Sequence, residues 1–258
     1  MNRTVGLVRR IAAYRVALYA ANAGFFVTLS VFPMLLLLMG LLRYSGLDAR
    51  RLAILLKGVV PEALLPGLEN LIRNAWAHTS GMALGLSAVT TLWSAGRGMH
   101  GLLTGLNAVY EVREDRGYVQ TRLISAGWTL GLLLAAVAAV TVRLLDVDAW
   151  GEGLRHLALP GMLTLLFSAM YRVLPNQRSR FRDGLPGGAV AAVGWLIFSR
   201  LYSEYVVRFP DYTNIYGSVY AGALSMLWLY CCISILFYGG LLNHVLLQRK
   251  IRKIMSDS

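Results

Sequence analysis

Charged residues are scarce in this chain. They make up 15% of its 258 residues, 57% are hydrophobic, and the mean hydropathy is +0.56. A soluble domain usually has about 25% charged residues, and its surface helices need polar faces. Long apolar blocks without such faces favour an integral membrane protein over a large soluble helical protein. We expect no cleavable signal peptide, because the first apolar run is too long and no small-residue cleavage site follows it.

Cysteine and recognisable catalytic motifs are also nearly missing. The two cysteines, Cys231 and Cys232, are adjacent in an apolar segment. Adjacent cysteines very rarely pair and their spacing fits no metal site, so we interpret both as small buried residues. The chain has no P-loop, nucleophile elbow or zinc-enzyme motif, and its acidic loop at 146–152 is expected to be solvated. The sequence therefore predicts no enzyme activity, no catalytic residue, no cofactor and no metal.

Six apolar blocks are each close to or above the roughly 20 residues that cross a bilayer as a helix. They cover residues 18–42, 81–109, 121–142, 157–174, 185–207 and 216–247. Only helices and closed barrels satisfy their backbone groups in lipid, and these blocks are much longer than barrel strands. The sequence predicts an all-α integral membrane protein with six transmembrane helices.

The distribution of positive charge predicts the orientation of these helices. Lysine and arginine are concentrated in residues 1–15, 113–122, 172–182 and 249–253. Six spans put these segments on one side, and the side richer in Lys and Arg is usually cytoplasmic, so both termini are predicted inside. The net charge of +12 is therefore a topology signal, with some contact to anionic lipid head groups. It does not indicate nucleic-acid binding, because aromatic or glycine-rich recognition elements are absent among the basic residues.

Three regions are distinguished by this topology. Residues 1–14 form a short basic amphipathic segment on the cytoplasmic surface, residues 15–247 form the membrane domain, and residues 248–258 form a basic cytoplasmic tail. Within the membrane domain, residues 43–79 are too polar to span. We interpret them as an external helical cap, in which Pro61 and Pro66 break a first helix and a second helix runs to about residue 78. The alternative is a mobile loop.

The second span carries a polar face. On a helical wheel this face holds Thr90, Ser94, Arg97, His100, Thr104, Asn107 and Glu111. A polar stripe along a span should face protein or water rather than lipid. Arg97 precedes Asn107 by about ten residues, roughly 15 Å along a helix, which places it away from the cytoplasmic surface.

Two interpretations of Arg97 stay open at this point. In the first, Arg97 lines a substrate path with Ser94, His100, Thr104 and Asn107, and binds an anionic group. In the second, Arg97 bonds backbone carbonyls at a kinked helix and locks the bundle.

Two further features are an ion-pair spacing in span five and a series of glycines in span two. Arg200 and Glu204 are spaced i, i+4 in span five and are predicted to form an interfacial ion pair or a gate. Gly98, Gly101 and Gly105 in span two are interpreted as helix-packing positions, because small residues let helices approach closely.

Four stretches in register resemble the YihY / virulence factor BrkB family of bacterial inner-membrane proteins. They are AANAGFFVTLSVFPMLLLL (20–38), LWSAGRGMHGLLTGLNAVYEV (92–112), YRVLPNQRSRFRDGLPGGAVAAVGWLIFSRLYSEYV (171–206) and YGSVYAGALSMLWLYCCISILFYGGLLN (216–243). Arg97 falls on the arginine of the family's LWSA-x-R-G-like motif, Asn176 on its LPN, and Tyr216 with Gly217 on its YGS. Leu241 stands where the family usually has an acidic residue, so the resemblance does not imply proton or cation chemistry by a carboxylate there.

The resemblance implies a six-span, multi-pass protein of the bacterial inner membrane. Family members have carried the label ribonuclease BN, but this sequence has no clustered metal ligands, paired catalytic histidines or soluble domain to support it. Three functions follow in order of preference. The first is a transporter or translocator of lipids or solutes, with membrane lipids and an anionic small molecule or head group as partners. The second is a non-transporting membrane scaffold for envelope integrity, acting through residues 43–79. The third, a ribonuclease, is least favoured, and no oligomeric state is specified.

Overall fold

The computed structural model describes residues 15–44, 60–77, 81–144, 152–177, 179–208 and 212–256. Within these ranges the chain is helical and has no β-strand. The amphipathic segment 1–14, the first helix of the proposed cap, the acidic loop up to residue 151 and the last two residues lie outside the described part. The predicted all-α fold is thus confirmed for the described residues.

In the described ranges, six long helices occupy the six apolar blocks, and a seventh, shorter helix lies between the first two. We label them α1 (Val16–Tyr44), α2 (Leu65–Ala77), α3 (Gly81–Val109), α4 (Tyr118–Leu144), α5 (Glu152–Val173), α6 (Phe181–Arg208) and α7 (Tyr212–Ser256). The limits of α3 equal the predicted ones. The helices α1, α4, α6 and α7 extend beyond their apolar blocks at both ends, whereas α5 begins before its block and ends one residue short of it. The last helix, α7, has 45 residues, which is more than a helix needs to cross a bilayer.

Membrane-spanning character is clearest in the last two helices. Among the described residues, Phe181–Arg208 and Gly222–Lys250 are long and apolar enough to cross a bilayer, and Val16–Val31 and Leu159–Val173 are shorter apolar helices. That all six long helices cross the membrane, and that both termini are cytoplasmic, stay predictions.

The core forms where α3 packs closely against α1 and α7. A Cβ placed on Gly98 would lie 2.8 Å from Cγ2 of Val27, and a Cβ on Gly105 would overlap the ring of Phe237. Leu103 and Leu106 of α3 are fully buried in the same region. The packing role predicted for Gly98 and Gly105 is therefore confirmed, since a side chain at either position would force α3 away from its neighbours.

A buried asparagine joins α6 to α7 beside a proline. Pro186 lies within α6, and a proline removes one backbone hydrogen bond of a helix. The backbone N–H of Gly187 donates to Oδ1 of Asn243 at 2.7 Å, and Nδ2 of Asn243 donates to the carbonyl oxygen of Gly184 at 3.1 Å. Gly187 also contacts the backbone of Gly239 too closely for any side chain. The asparagine thus satisfies backbone groups at the irregular start of α6.

Residues 60–77, the described part of the segment between α1 and α3, pack on the bundle. Residues Glu62–Leu64 form one turn of 3₁₀ helix after Pro61, and α2 follows directly. The backbone N–H of Ala63 donates to Oγ of Ser203 in α6 at 3.2 Å. Pro66, which the sequence suggested as a break, is the second residue of α2. The first turn of a helix tolerates proline because its N–H groups have no partner within the helix.

Candidate functional site

Arg97 lies on the outer surface of the bundle and stacks on two aromatic rings. Its guanidinium carbon is 5.3 Å from the ring centre of Phe26 in α1 and 5.4 Å from that of Trp93 in α3. Within the described residues, no carboxylate lies within 4 Å of this guanidinium, and it makes no hydrogen bond to a backbone carbonyl. The aromatic rings therefore hold the cation in place, and its N–H donors remain open to an anion.

His100 and Thr104 share the open surface with Arg97. His100 is half-buried, and its Nδ1 is buried without a hydrogen-bond partner among the described residues. Thr104 is exposed, and its hydroxyl donates to the carbonyl oxygen of His100 at 2.9 Å. These three side chains form what we call the open polar face of α3.

Ser94 and Asn107 belong to the same predicted stripe but are buried. The hydroxyl of Ser94 donates to the carbonyl oxygen of Thr90 at 2.7 Å, which satisfies it within its own helix. Nδ2 of Asn107 donates to Glu114 at 2.6 Å, and its Oδ1 accepts the backbone N–H of Asn176 at 2.7 Å. The structure therefore divides the five candidates, because neighbouring segments cover the ends of the stripe and leave its middle open.

Asn107 is part of a hydrogen-bonded cluster that we call the polar clasp, formed by Asn107, Glu114, Arg116 and Asn176. Nε and Nη2 of Arg116 donate to the two carboxylate oxygens of Glu114 at 2.6 and 2.7 Å, and Nη2 also donates to the carbonyl oxygen of Leu174 at 2.8 Å. The hydrogen bonds from Arg116, and then that from Asn107, hold the pKa of Glu114 below its ordinary value against a smaller opposing effect of burial. The clasp fixes the α3–α4 and α5–α6 connections to each other.

Sequence reasoning identified Asn107 and Asn176 but missed Glu114 and Arg116. The two asparagines stood out because one lies on the polar face and the other in the LPN motif. Glu114 and Arg116 lie in a charged loop, EVREDRG, where such residues normally face solvent. One signal could have identified Glu114 and Arg116. They form a Glu-x-Arg pair shortly after a span that ends near a polar residue.

The α3–α4 connection runs back along α3 and changes the setting of Arg97. The chain reverses at Glu111, whose φ is 56°, in the left-handed region that commonly ends helices. When extended, the six residues 112–117 reach at most about 20 Å. This is about the distance along α3 from Tyr110 back to Gly96, so the loop can return the chain to the level of Gly96. A Cβ placed on Gly96 would lie 3.7 Å from Nη1 of Arg122 in the second turn of α4. Arg97 is therefore level with the start of α4.

The structure does not pair Arg200 with Glu204, and the gate predicted for these two residues stays a prediction. Glu204 instead pairs with Arg208, whose Nη2 lies 2.9 Å from Oε1 of Glu204 at the exposed end of α6. Both arginines are four residues away, but an acidic residue N-terminal to a basic one gives the better geometry on a helix. Arg200 and Glu204 do line a common cavity of about 480 Å³, together with Glu62 and its neighbours.

Both cysteines are free thiols in α7. Cys232 is fully buried, as expected, whereas Cys231 is only half-buried. Within the described ranges, no group of three His, Cys, Asp or Glu side chains is placed to hold a metal ion.

The helices, their exposed apolar faces and the buried polar groups between them define a helical membrane protein. The family model of virulence factor BrkB matches residues 7–257, and the chain belongs to that family. YfkH of Bacillus subtilis strain 168, which carries a ribonuclease-like name, is 27% identical over 248 residues and covers 90% of both chains.

Other relatives are named as membrane proteins. A UPF0761 membrane protein of Aromatoleum aromaticum is 28% identical over 256 residues, which is 93% of this chain and 62% of the relative. One of Ralstonia nicotianae is 31% identical over 188 residues, which is 68% of this chain and 41% of the relative. This chain thus spans less than two thirds of the length of these two relatives. No solved structure matches the chain.

Proposed function

We propose that this protein is a multi-pass transporter of the bacterial inner membrane that moves a lipid or solute carrying an anionic group, without covalent chemistry. The open polar face of α3, formed by Arg97, His100 and Thr104, is the surface that the substrate contacts. Membrane lipids are its immediate partners, and nucleic acid is not a substrate.

The observation that carries this proposal is the open guanidinium of Arg97. A cation near the membrane is expensive unless it is paired or hydrated, yet the described residues offer Arg97 two aromatic faces and no carboxylate. A guanidinium presents a planar fork of N–H donors that matches carboxylate and phosphate groups. An anionic substrate group supplies the missing partner, whereas a purely structural arginine would be expected to bond backbone carbonyls.

Transport by the purified protein tests the proposal. The wild type, Arg97→Ala and the control Arg172→Ala are reconstituted in liposomes that contain head-group-labelled phospholipid, and movement between leaflets is followed by a membrane-impermeant quencher. Arg172 is an exposed arginine at the end of α5, away from the open polar face. We expect the wild type and Arg172→Ala to move the lipid and Arg97→Ala to be at least about tenfold slower, which corresponds to the loss of one charge-assisted hydrogen bond.

Equal rates for folded wild type and Arg97→Ala would remove the arginine from the mechanism. If neither protein moves phospholipid, the same preparation is tested with anionic small solutes. Failure with both classes would reject a transport function.

The scaffold function has one observation in its favour. Ser94 and Asn107 are packed and hydrogen-bonded inside the protein, so part of the polar stripe is structural. Exposed residues of α2, including Asn70, Arg73 and Asn74, would then bind an envelope partner. In a deletion strain with an envelope defect, the scaffold function predicts that replacing these three residues by alanine abolishes complementation, whereas Arg97→Ala retains it. The opposite pattern supports transport.

A further inference from the structure

A second arginine lies beside the open polar face of α3, although it is 25 positions after Arg97 in the sequence. Arg122 in α4 approaches α3 at Gly96, and its charge acts on the ring of His100 together with that of Arg97. Both guanidinium groups also act on Tyr118 in the first turn of α4. The two cations therefore share the same two neighbours across the α3–α4 edge.

Neither cation has a carboxylate partner in the described part of the chain. The charge of Glu114 acts on His100, but Arg116 and Asn107 already occupy the carboxylate oxygens of Glu114. The first acidic residue of the sequence is Asp48, so α1 and the residues before it supply none. Two neighbouring guanidinium groups repel each other, and an anion between them removes that repulsion.

Aromatic side chains hold both guanidinium groups at this edge without using all of their N–H donors. Arg97 stacks on Phe26 and Trp93, and the guanidinium carbon of Arg122 lies 5.7 Å from the ring centre of Tyr118. Nε of Arg122 donates to the phenol oxygen of Tyr118 at 3.3 Å, which leaves the phenol proton free to donate to a third group. The donors at this edge thus outnumber the acceptors.

The apolar surroundings indicate where the anion comes from. Trp93 is 53% exposed and Tyr118 is 73% exposed, and exposed Trp and Tyr are typical of the membrane–water interface. Val119 and Leu123 of α4 are also exposed beside the cations. A free anion would gain nothing from these apolar side chains, whereas the acyl chains of a lipid would pack along them.

We propose that Arg97 and Arg122 together bind the phosphate of an anionic phospholipid at the α3–α4 edge, with the Tyr118 phenol as an additional donor. This inference rests on the proposed function, because it names the class of anion that the open polar face receives. A phosphodiester offers two charged oxygens, which two guanidinium forks can bind together.

Lipid binding to the detergent-purified, full-length protein tests the inference separately from transport. Fluorescent phosphatidylglycerol is titrated into the wild type, Arg97→Ala, Arg122→Ala and the control Arg172→Ala, with phosphatidylcholine as the lipid of zero net charge. We expect the wild type and Arg172→Ala to prefer phosphatidylglycerol, and each of the other two variants to bind it about tenfold more weakly. Their binding of phosphatidylcholine should change much less.

Several outcomes would overturn the inference. Unchanged phosphatidylglycerol binding by both Arg122→Ala and the longer-chain replacement Arg122→Gln, each with a wild-type unfolding temperature, would remove Arg122 from the site. If the protein binds inorganic phosphate but does not bind phosphatidylglycerol, the ligand of the site is a free anion and not a lipid.

The binding and transport results separate the two proposals. If Arg122→Ala binds phosphatidylglycerol normally while the wild type transports, the lipid site is wrong and the function stands. If the variant loses binding but the wild type transports nothing, the site stands and the function is wrong.

Discussion

Arg97 shows how a cation is held at an apolar protein surface by aromatic rings. A guanidinium is planar and more weakly hydrated than an ammonium group, so it stacks on such rings. Phe26 and Trp93 keep the group in place without consuming its N–H donors. Lysine would keep the charge at this position but lose the stacked, two-pronged geometry.

Arg97→Lys therefore tests geometry against charge at this residue. We expect the lysine variant to be folded but to bind phosphatidylglycerol several-fold more weakly than the wild type, since it retains the charge but not the fork of donors. The same titration that compares the alanine variants measures this. Full retention of affinity by the lysine variant would show that charge alone matters at position 97.

Glu114 gives a pH-dependent prediction at the residue scale. Its pKa is lower in the folded protein than in the unfolded chain, chiefly because Arg116 bonds the carboxylate. The lowered pKa of Glu114 stabilises the folded protein. This stabilisation is fully present above the pKa of glutamate in the unfolded chain, about 4.3, and is lost as the pH falls through the pKa of Glu114 in the folded protein. Glu114→Gln should therefore unfold at a lower temperature than the wild type at pH 7, and the difference should shrink below about pH 4.

Unfolding temperatures in detergent from pH 3.5 to 7 measure this difference. Glu69→Gln in α2 is the matched control, and it should follow the wild type at every pH. A constant difference between Glu114→Gln and the wild type across the range would contradict a charged clasp.

At the scale of elements, close glycine contacts set how the helices pack. A Cβ on Gly105 would overlap Phe237, whereas nothing lies within 4 Å of a Cβ on Gly131 in α4. We predict that Gly105→Ala lowers the free energy of unfolding by about 1–3 kcal/mol, measured by denaturation with SDS. Gly131→Ala is the matched control and should be neutral or slightly stabilising, because alanine favours helix more than glycine does. Equal effects at the two positions would contradict the packing.

The α6–α7 contact depends on one buried amide. Asn243→Ala would leave the N–H of Gly187 and the carbonyl of Gly184 without their partner. We expect a loss of about 1–3 kcal/mol in the free energy of unfolding, measured in the same way. Asn70→Ala, an exposed position of α2, should change it little. A neutral Asn243→Ala variant would mean that water replaces the amide.

The sequence predicted the long helices well because a span must be both apolar and long. Residues 81–109 form α3 with the predicted limits. The other long helices begin a few residues before their apolar blocks, because polar residues can extend a helix without extending the apolar block. The return of the chain along α3 could not be predicted, since it depends on bonds from Asn107 and Arg116 to groups that lie far apart in the sequence. Spacing alone could not decide the ion-pair partner of Glu204, because Arg200 and Arg208 are both four residues from it.

The candidate site was predicted only in part, for a related reason. A helical wheel correctly grouped Arg97, His100 and Thr104 on one face. It could not show that tertiary packing covers Ser94 and Asn107, and it could not bring in Arg122 from another helix. Positions along one helix follow from its period, whereas exposure and partners depend on the neighbouring helices.

At the scale of the whole molecule, this is a helical membrane protein for which we propose an anion-binding surface on α3. The predicted orientation places both termini in the cytoplasm. Single cysteines at Lys253 and at Glu69, introduced after Cys231 and Cys232 are replaced by alanine, test this orientation. In intact cells a membrane-impermeant thiol reagent should label Glu69→Cys but not Lys253→Cys. The reverse pattern would invert the topology.

Above all, we expect the open polar face of α3 to attract anions. The most direct measurement is the rate at which Thr104→Cys, in the same cysteine-free background, reacts with anionic and cationic water-soluble thiol reagents in membranes. We expect a severalfold preference for the anionic reagent, because the positive potential of the arginines raises its local concentration. Adding Arg97→Ala should abolish that preference. No reaction with either reagent, or rates that do not depend on reagent charge, would contradict the claim.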